Sequence, residues 1–336
     1  MNRRRALALS PLAIGLLAVA RTQAGGPAAP ARPDPSEAAL ALAEVLPEAV
    51  RRAAPHLVLI RPRSEARSAR RRGRSGVVVA RGVVVTCARN VDAFGVDDLV
   101  VEDARGHATP ARLRGRDLRL RLVALEADGL DAPPAPRAPL RRVPGSLVLA
   151  LGAPLRTEGL PSATFGILSA TDRFAGRADQ VDAALDPSNL GGALVDLRGR
   201  LLGVVVHPDP RLGWRSGVGF AIPSHLIDAA LPLLRAGAEL APGDLGLALS
   251  RVAGGPGAGV EVARVDPEGP AASAGLRPGD RILRLGGRAT PGLRAFRRAT
   301  APLYAGQRVE LLLRRAGQTR LVELVVGRAK GTAQAH

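Results

Sequence analysis

The sequence predicts a mainly β protein in which two small barrels are followed by a smaller β unit. Short Val- and Leu-rich runs recur from Leu57 onward with turn residues between them. Gly (39 residues) and Pro (28 residues) punctuate the 336-residue chain too often for a helical bundle. Hydrophobic residues make up 46% and aromatics only 2%, so the cores must be built from Leu, Val, Ile and Ala. The length suffices for two domains with sizeable cores.

The elements follow in chain order. Asn2-Arg3-Arg4-Arg5, the apolar stretch Ala6–Ala20, and a small-residue site at Ala18-Val19-Ala20 or Thr22-Gln23-Ala24 form the three parts of a secretory signal over residues 1–24. About fifteen apolar residues are too few to span a bilayer comfortably. The expectation is a cleaved signal and an exported, periplasmic or extracellular protein, with an uncleaved membrane anchor as the alternative. Residues 25–37 read as a Pro/Ala/Gly linker. Ala38–Ala53 has helical periodicity through Leu40, Leu42, Val45, Leu46 and Val50.

Eleven strand-like runs follow: Leu57–Ile60, Val77–Ala80, Val83–Thr86, Leu99–Glu102, Ala111–Leu113, Leu122–Leu125, Leu147–Leu151, Ala163–Ala170, Ala193–Val195, Leu201–Val206 and Gly217–Ile222. Ala127–Gly145, with five prolines, separates them into two halves. Pro223–Ala236 reads as a helix with Pro at its start and Gly237 after its end. One domain is therefore expected over 38–237, a linker over 238–244, and a second domain over 245–328. The second has strands at Val260–Arg264, Arg281–Leu285, Arg308–Arg314 and Leu321–Val326 and helices near Ala272 and Leu293–Ala301. Residues 329–336 read as a disordered tail.

The net charge is +18, carried almost wholly by arginine, since Lys330 is the one lysine. Such a field favours anionic partners. Single-stranded nucleic acid also needs stacking aromatics, which are nearly lacking, so no specific nucleic acid is expected. Arg61–Arg74, a dense basic loop, is the best candidate for touching anionic envelope lipid or polymer. The lone Cys87 rules out an internal disulfide and a thiol metal cluster. With no HExxH, paired-Cys, P-loop or dinucleotide motif, no cofactor or metal is expected.

Seven stretches in order resemble one family, the HtrA-type secreted proteases, which carry a trypsin-like double β-barrel followed by one or more PDZ domains. They are Ser75–Val79, Val84-Val85-Thr86, Leu151–Pro154, Gly166–Ala170, Asp182-Ala183-Ala184, Gly191–Leu194 and Gly219–Pro223. Val265–Leu283 is similar to the most distinctive run of a PDZ domain, and one such domain is expected. The resemblance implies a serine nucleophile, a histidine base and an orienting aspartate. At the matching positions this sequence has Leu190, Arg89 and Arg121. Leucine has no oxygen to attack with, and arginine offers no lone pair at neutral pH. Ser188, followed by Asn189, stands where the family places a glycine of the oxyanion loop.

The reading is therefore a non-catalytic HtrA-like protein with no catalytic residues. Its PDZ domain binds exposed or C-terminal peptide segments of unfolded proteins, as a scaffold, decoy or sensor in envelope protein quality control. Leu245, Gly246 and Leu247 match the carboxylate loop, with Leu249 on the next strand, where a peptide adds as a strand. The resemblance also implies a trimer, though Leu40–Val50 lacks aromatics. Two rival readings are an active endopeptidase with a rearranged site and a polyanion-binding envelope protein. His56, His107, His207 and His225 fall away from the matched catalytic loops, and Cys87 is the sharpest replacement nucleophile.

Overall fold

The computed structural model describes residues 35–65, 73–95, 98–139, 141–154, 159–206, 217–250 and 259–329. The expected signal, most of the first linker, the centre of the basic loop, His207 and the tail beyond Ala329 lie outside the described residues. Residues 1–42 and 43–336 separate into two units. The described part of the first is the opening of helix α1 (Pro35–Ala53), which begins at a proline as helices favour. In the second unit α1 turns Leu46, Ala49, Val50 and Ala53 to the core. Val45, expected on that face, is exposed.

The first barrel consists of β1 (Leu57–Pro62), β2 (Arg74–Ala80), β3 (Val83–Cys87), β4 (Leu99–Glu102), β5 (Ala108–Asp117) and β6 (Leu122–Glu126), with the short helix α2 (Ala88–Asp92) after β3. The order β4-β1-β2-β3-β6-β5 closes through the β4–β5 and β5–β6 ladders. Alternate residues of one strand face opposite sides. Val58, Val78 and Val84 join one cluster with Val123 and Leu125, while Leu57, Val77 and Val85 join a larger cluster shared with the second barrel. Both faces are buried, which explains the unbroken apolar runs. Arg61, expected in a basic loop, is instead buried in β1 and paired with Glu102 of β4.

The second barrel contains β7 (Leu147–Gly152), β8 (Ser162–Asp172), β9 (Ala178–Val181), β10 (Ala193–Val195), β11 (Leu201–Val206) and β12 (Gly219–Pro223). Its ring runs β7-β8-β9-β12-β11-β10 and closes from β10 to β7. Strand β9 escapes the sequence pattern because Ala-Asp-Gln-Val has one β-branched residue and buries the carboxylate of Asp179. A tight turn, α3 (Arg173–Gly176), precedes it with Phe174 and Ala175 at positive φ. The helix α4 (Ser224–Arg235) packs Ile227, Ala230 and Leu234 into the shared core.

The expected linker is structured. β13 (Glu239–Leu240) pairs in parallel with β5, setting Glu239 opposite Arg116 and Leu240 opposite Asp117. β14 (Gly243–Asp244) follows at once. The last unit then contains β15 (Leu247–Leu249), β16 (Val260–Val265), α5 (Pro270–Ser273), β17 (Arg281–Leu285), β18 (Arg288–Ala289), α6 (Leu293–Thr300), β19 (Arg308–Arg315), β20 (Gln318–Val325) and β21 (Gly327–Arg328). Its sheet runs β15-β16-β17-β19-β20, and β21 returns to pair with β14. The fold is mainly β throughout: two six-stranded barrels and a PDZ-like unit.

Candidate functional sites on the barrels and the C-terminal sheet

The fold brings the three predicted triad positions to one place. Arg89 lies exposed on α2, one turn after β3. Arg121 lies directly before β6, also exposed, with φ +55. Its carbonyl accepts a hydrogen bond from Ala88 N–H at 2.8 Å, so the two arginine-bearing segments are held edge to edge. Leu190 comes from the opposite barrel. Asn90, next to Arg89, donates its amide N–H to the Leu190 carbonyl at 2.8 Å and to Thr86 Oγ1 at 2.9 Å.

This polar seam extends across both barrels. Thr86 Oγ1 donates to the Ser75 carbonyl at 2.7 Å, and Ser75 Oγ donates to the Ser188 carbonyl at 2.6 Å while accepting from Ala153 N–H at 2.7 Å. Ser75, Thr86 and Asn90 are buried, where an unmade hydrogen bond is costly. Gly191, at φ +75, sits so close that a Cβ would lie 2.0 Å from Thr86 Oγ1 and 2.4 Å from the Ser75 carbonyl. A Cβ on Gly192 would meet the Leu151 carbonyl at 2.0 Å. Both glycines are therefore demanded by packing.

The loop before Leu190 is folded on Asp186. Ser188 N–H donates to Asp186 Oδ1 at 2.7 Å, Ser188 Oγ donates to the same oxygen at 2.6 Å, and Asn189 N–H donates to the Asp186 carbonyl at 3.1 Å. Stabilising an oxyanion needs N–H groups converging on the position the oxyanion will occupy. Here the N–H groups of Ser188 and Asn189 are taken up by Asp186. Leu190 is 3% exposed and packs in the core shared by the barrels.

In the C-terminal unit, Gly246 has φ +70, and a Cβ there would meet Pro270 Cδ at 2.8 Å and Gly269 Cα at 3.0 Å. Leu245 is buried, and Leu247 and Leu249 are half-buried on β15. Among the described residues β15 pairs with β16 alone, so its other edge has no partner strand. Gly246 N–H donates to Asp244 Oδ1 at 3.1 Å.

A trypsin-like peptidase domain model matches residues 74–204, and a PDZ domain model matches residues 243–326. The crystal structure of the serine endoprotease from Yersinia pestis is 30% identical, with a TM-score of 0.62, over 85% of this chain and 98% of that one. The chain belongs to the HtrA-type family of trypsin-like, PDZ-containing proteins. The HtrA-type protease AlgW, solved with a decapeptide, is 28% identical with a TM-score of 0.64, over 84% of this chain and 98% of that one. The "Probable periplasmic serine endoprotease DegP-like" of Halomonas elongata is 31% identical over 75% of this chain and 56% of its own length. The "Periplasmic serine endoprotease DegP" of Salmonella typhimurium is 30% identical over 74% of this chain and 56% of its own length. This HtrA-type chain thus spans little more than half the length of these curated relatives.

Other candidate groups of the HtrA-type chain lie elsewhere. His56 Nδ1 donates to the Pro133 carbonyl at 2.9 Å, and exposed His107 sits 3.3 Å from Asp103. His225, half-buried at the start of α4, is held below its ordinary pKa by burial and by Arg142. Cys87 is buried, and that burial pushes its thiol up to about 11. A thiol so placed stays protonated at neutral pH and is a poor nucleophile.

Sequence reasoning missed the most connected site of all. Tyr304, between α6 and β19, donates its hydroxyl to Asp117 Oδ2 at 2.5 Å. Arg119 donates from Nη2 to the same hydroxyl at 2.5 Å and from Nη1 to the Ala301 carbonyl at 2.8 Å, with its guanidinium 4.4 Å from the Tyr304 ring centroid. All three are buried. Burial raises the pKa of Asp117 and of Tyr304. The single tyrosine of the sequence was the available signal, but nothing local shows which barrel residues it meets.

Proposed function

We propose that this HtrA-type protein is a non-catalytic, exported peptide-binding protein. It captures exposed or C-terminal segments of unfolded proteins through its PDZ domain. The observation that carries this is the loop Asp186–Gly191, where Asp186 takes up the N–H groups of Ser188 and Asn189 and Leu190 fills the core. Arg89 and Arg121 beside it supply no base and no orienting carboxylate. An acyl-transfer step would lack a nucleophile and a proton acceptor, and two of the neighbouring backbone donors are already engaged.

Peptide capture is supported by the unpaired edge of β15 beside the Leu245–Leu247 loop, the geometry into which an extended segment adds as a strand. The periplasmic names of the relatives support an exported location. Those same names, all endoproteases, favour a second reading, an active endopeptidase with a rearranged site.

Incubating the unmodified chain with unfolded casein decides between the two. No cleavage above background is expected. Cleavage that depends on a residue of this chain, and that an active-site variant abolishes, would overturn the proposal. The peptide arm is tested by binding of a C-terminal peptide library to the full chain.

A further inference from the structure

Strand β15 and helix α6 draw on one apolar cluster, and exposed arginines stand on α6 and on β16, the strand next to β15. Leu245, Leu247, Leu249, Phe296 and Ala299 belong to one core cluster, joining the strand to helix α6. On the sheet side Arg264 stands opposite Ala248 in the β15–β16 register. Its position is exposed, and the small side chain of Ala248 leaves the neighbourhood open. On the helix side α6 exposes Arg294, Arg297 and Arg298.

None of these four arginines has a carboxylate within ion-pair distance among the described residues, whereas Arg281, Arg308 and Arg315 are paired with Glu261, Glu323 and Asp280. Three of the unit's carboxylates are engaged in ion pairs, and three more, Asp244, Asp266 and Glu268, lie at the Gly246 loop, at one end of the β15 edge. Glu261, Asp280 and Glu323 hold those pairs, Asp244 accepts from Gly246 N–H, and Asp266 accepts from Glu268 N–H. Between Gly243 and Arg328 the sequence has fourteen arginines against seven acidic residues. Away from that loop, Arg264 and the three arginines of α6 are left without an internal carboxylate partner among the described residues.

Resting on the peptide-capture reading, we infer that the edge of β15 selects acidic segments: an extended peptide with an apolar terminal residue preceded by Asp and Glu. Side chains of an added strand alternate between its two faces. One set meets the α6 side with Arg297, and the other meets the outer face with Arg264. Acidic residues in both sets find an arginine. The apolar terminal residue rests at Leu245 and Leu247. Complementary charge of this kind raises association rate and specificity more than it adds contact area.

Fluorescence anisotropy on the full chain tests this with three labelled decapeptides. The first places Asp and Glu before a terminal Val, the second replaces them with Asn and Gln, and the third scrambles the first so that Val lies inside. At low salt the acidic peptide is expected to bind roughly tenfold more tightly than its amide counterpart, with the gap shrinking as salt is added. Arg264→Glu with Arg297→Glu is expected to invert the order of the first two peptides, and Arg264→Gln with Arg297→Gln to level them. Equal binding of the acidic and amide peptides would sink the acidic preference while leaving peptide capture standing. Binding of neither would sink peptide capture itself. Equal binding of the acidic and scrambled peptides, unmoved by the charge reversal, would show diffuse attraction to a polyanion and overturn the inference.

Discussion

Leu190 is informative because of what surrounds it. A leucine at the position that the family resemblance gives to serine would by itself leave a frame ready to be repaired, yet the N–H groups of Ser188 and Asn189 are also turned onto Asp186. Leu190→Ser alone is therefore expected to leave casein uncleaved. Adding Arg89→His and Arg121→Asp rebuilds the three side chains but not the donors, each of which is worth about a hundredfold or more in turnover. Activity is expected to appear, or rise by that order, only when Ser188→Gly is added together with Asp186→Ala, which removes the carboxylate that holds the residue-188 N–H; comparing the triple and quintuple variants on casein checks this. Gly191 gives a second test. Its positive φ and the 2.0 Å approach to Thr86 Oγ1 predict that Gly191→Ala costs about 3 kcal/mol or more, measured as a lowered urea midpoint. Cys87 gives a third. Burial raises its thiol from 9.0 to about 11, so the stability it contributes is complete below pH 9 and is lost as pH rises toward 11. An alkylating reagent at pH 8 is expected to modify the unfolded chain and spare the native one; modification of native protein at the free-thiol rate would contradict the burial.

At the scale of elements, the segment from β5 to β6 does two jobs. Its last residues pair with β13 and, through Asp117 and Arg119, grip Tyr304 after α6. Its final residue before β6 is Arg121. One short turn thus contacts both the PDZ unit and the predicted catalytic edge. Tyr304→Phe removes the hydroxyl that satisfies Asp117 and Arg119 and is expected to cost about 1–3 kcal/mol. The sign with pH follows from Asp117. Burial raises its pKa, so the fold favours its neutral form, and that contribution is present in acid and lost as pH rises through the folded value. The tyrosine hydrogen bond opposes this by favouring the carboxylate. The loss from Tyr304→Phe is therefore expected to be larger at pH 7 than at pH 4, measured by denaturant unfolding at both; an equal loss would place the carboxylate's role elsewhere.

For the whole molecule, the two barrels and the PDZ unit are joined by more than a tether. The expected linker is hydrogen-bonded on both sides, by β13 to the first barrel and by β14 to β21, with Arg328 paired to Glu239 at 3.1 Å. The joint between barrel and PDZ unit is therefore expected to be stiff. Limited proteolysis at low enzyme ratio is expected to spare residues 238–244, and early cleavage there would show that the pairing does not hold. The net charge of +18 acts at this scale too, favouring anionic partners generally.

Alternating and unbroken Val/Leu runs, punctuated by glycine and proline, were enough to determine the class and the order of nearly all barrel strands, because local periodicity is dictated by which faces are buried; the family was legible only through its resemblance to seven motif stretches. The residues at 89, 121, 188 and 190 were equally legible, since arginine, serine and leucine differ in chemistry from what the resemblance implies at those positions. Strand β9, the paired linker, the burial of Arg61 and the Asp117–Arg119–Tyr304 network were not. Each depends on partners far away in the chain, 187 residues in the case of Tyr304 and Asp117, and no local pattern encodes such a meeting. Only the tertiary structure decided that the loop at Leu190 closes upon Asp186 and that Arg264 and the arginines of α6 stand exposed without a carboxylate partner among the described residues, because hydrogen bonds and ion pairs are set by where side chains come together in space.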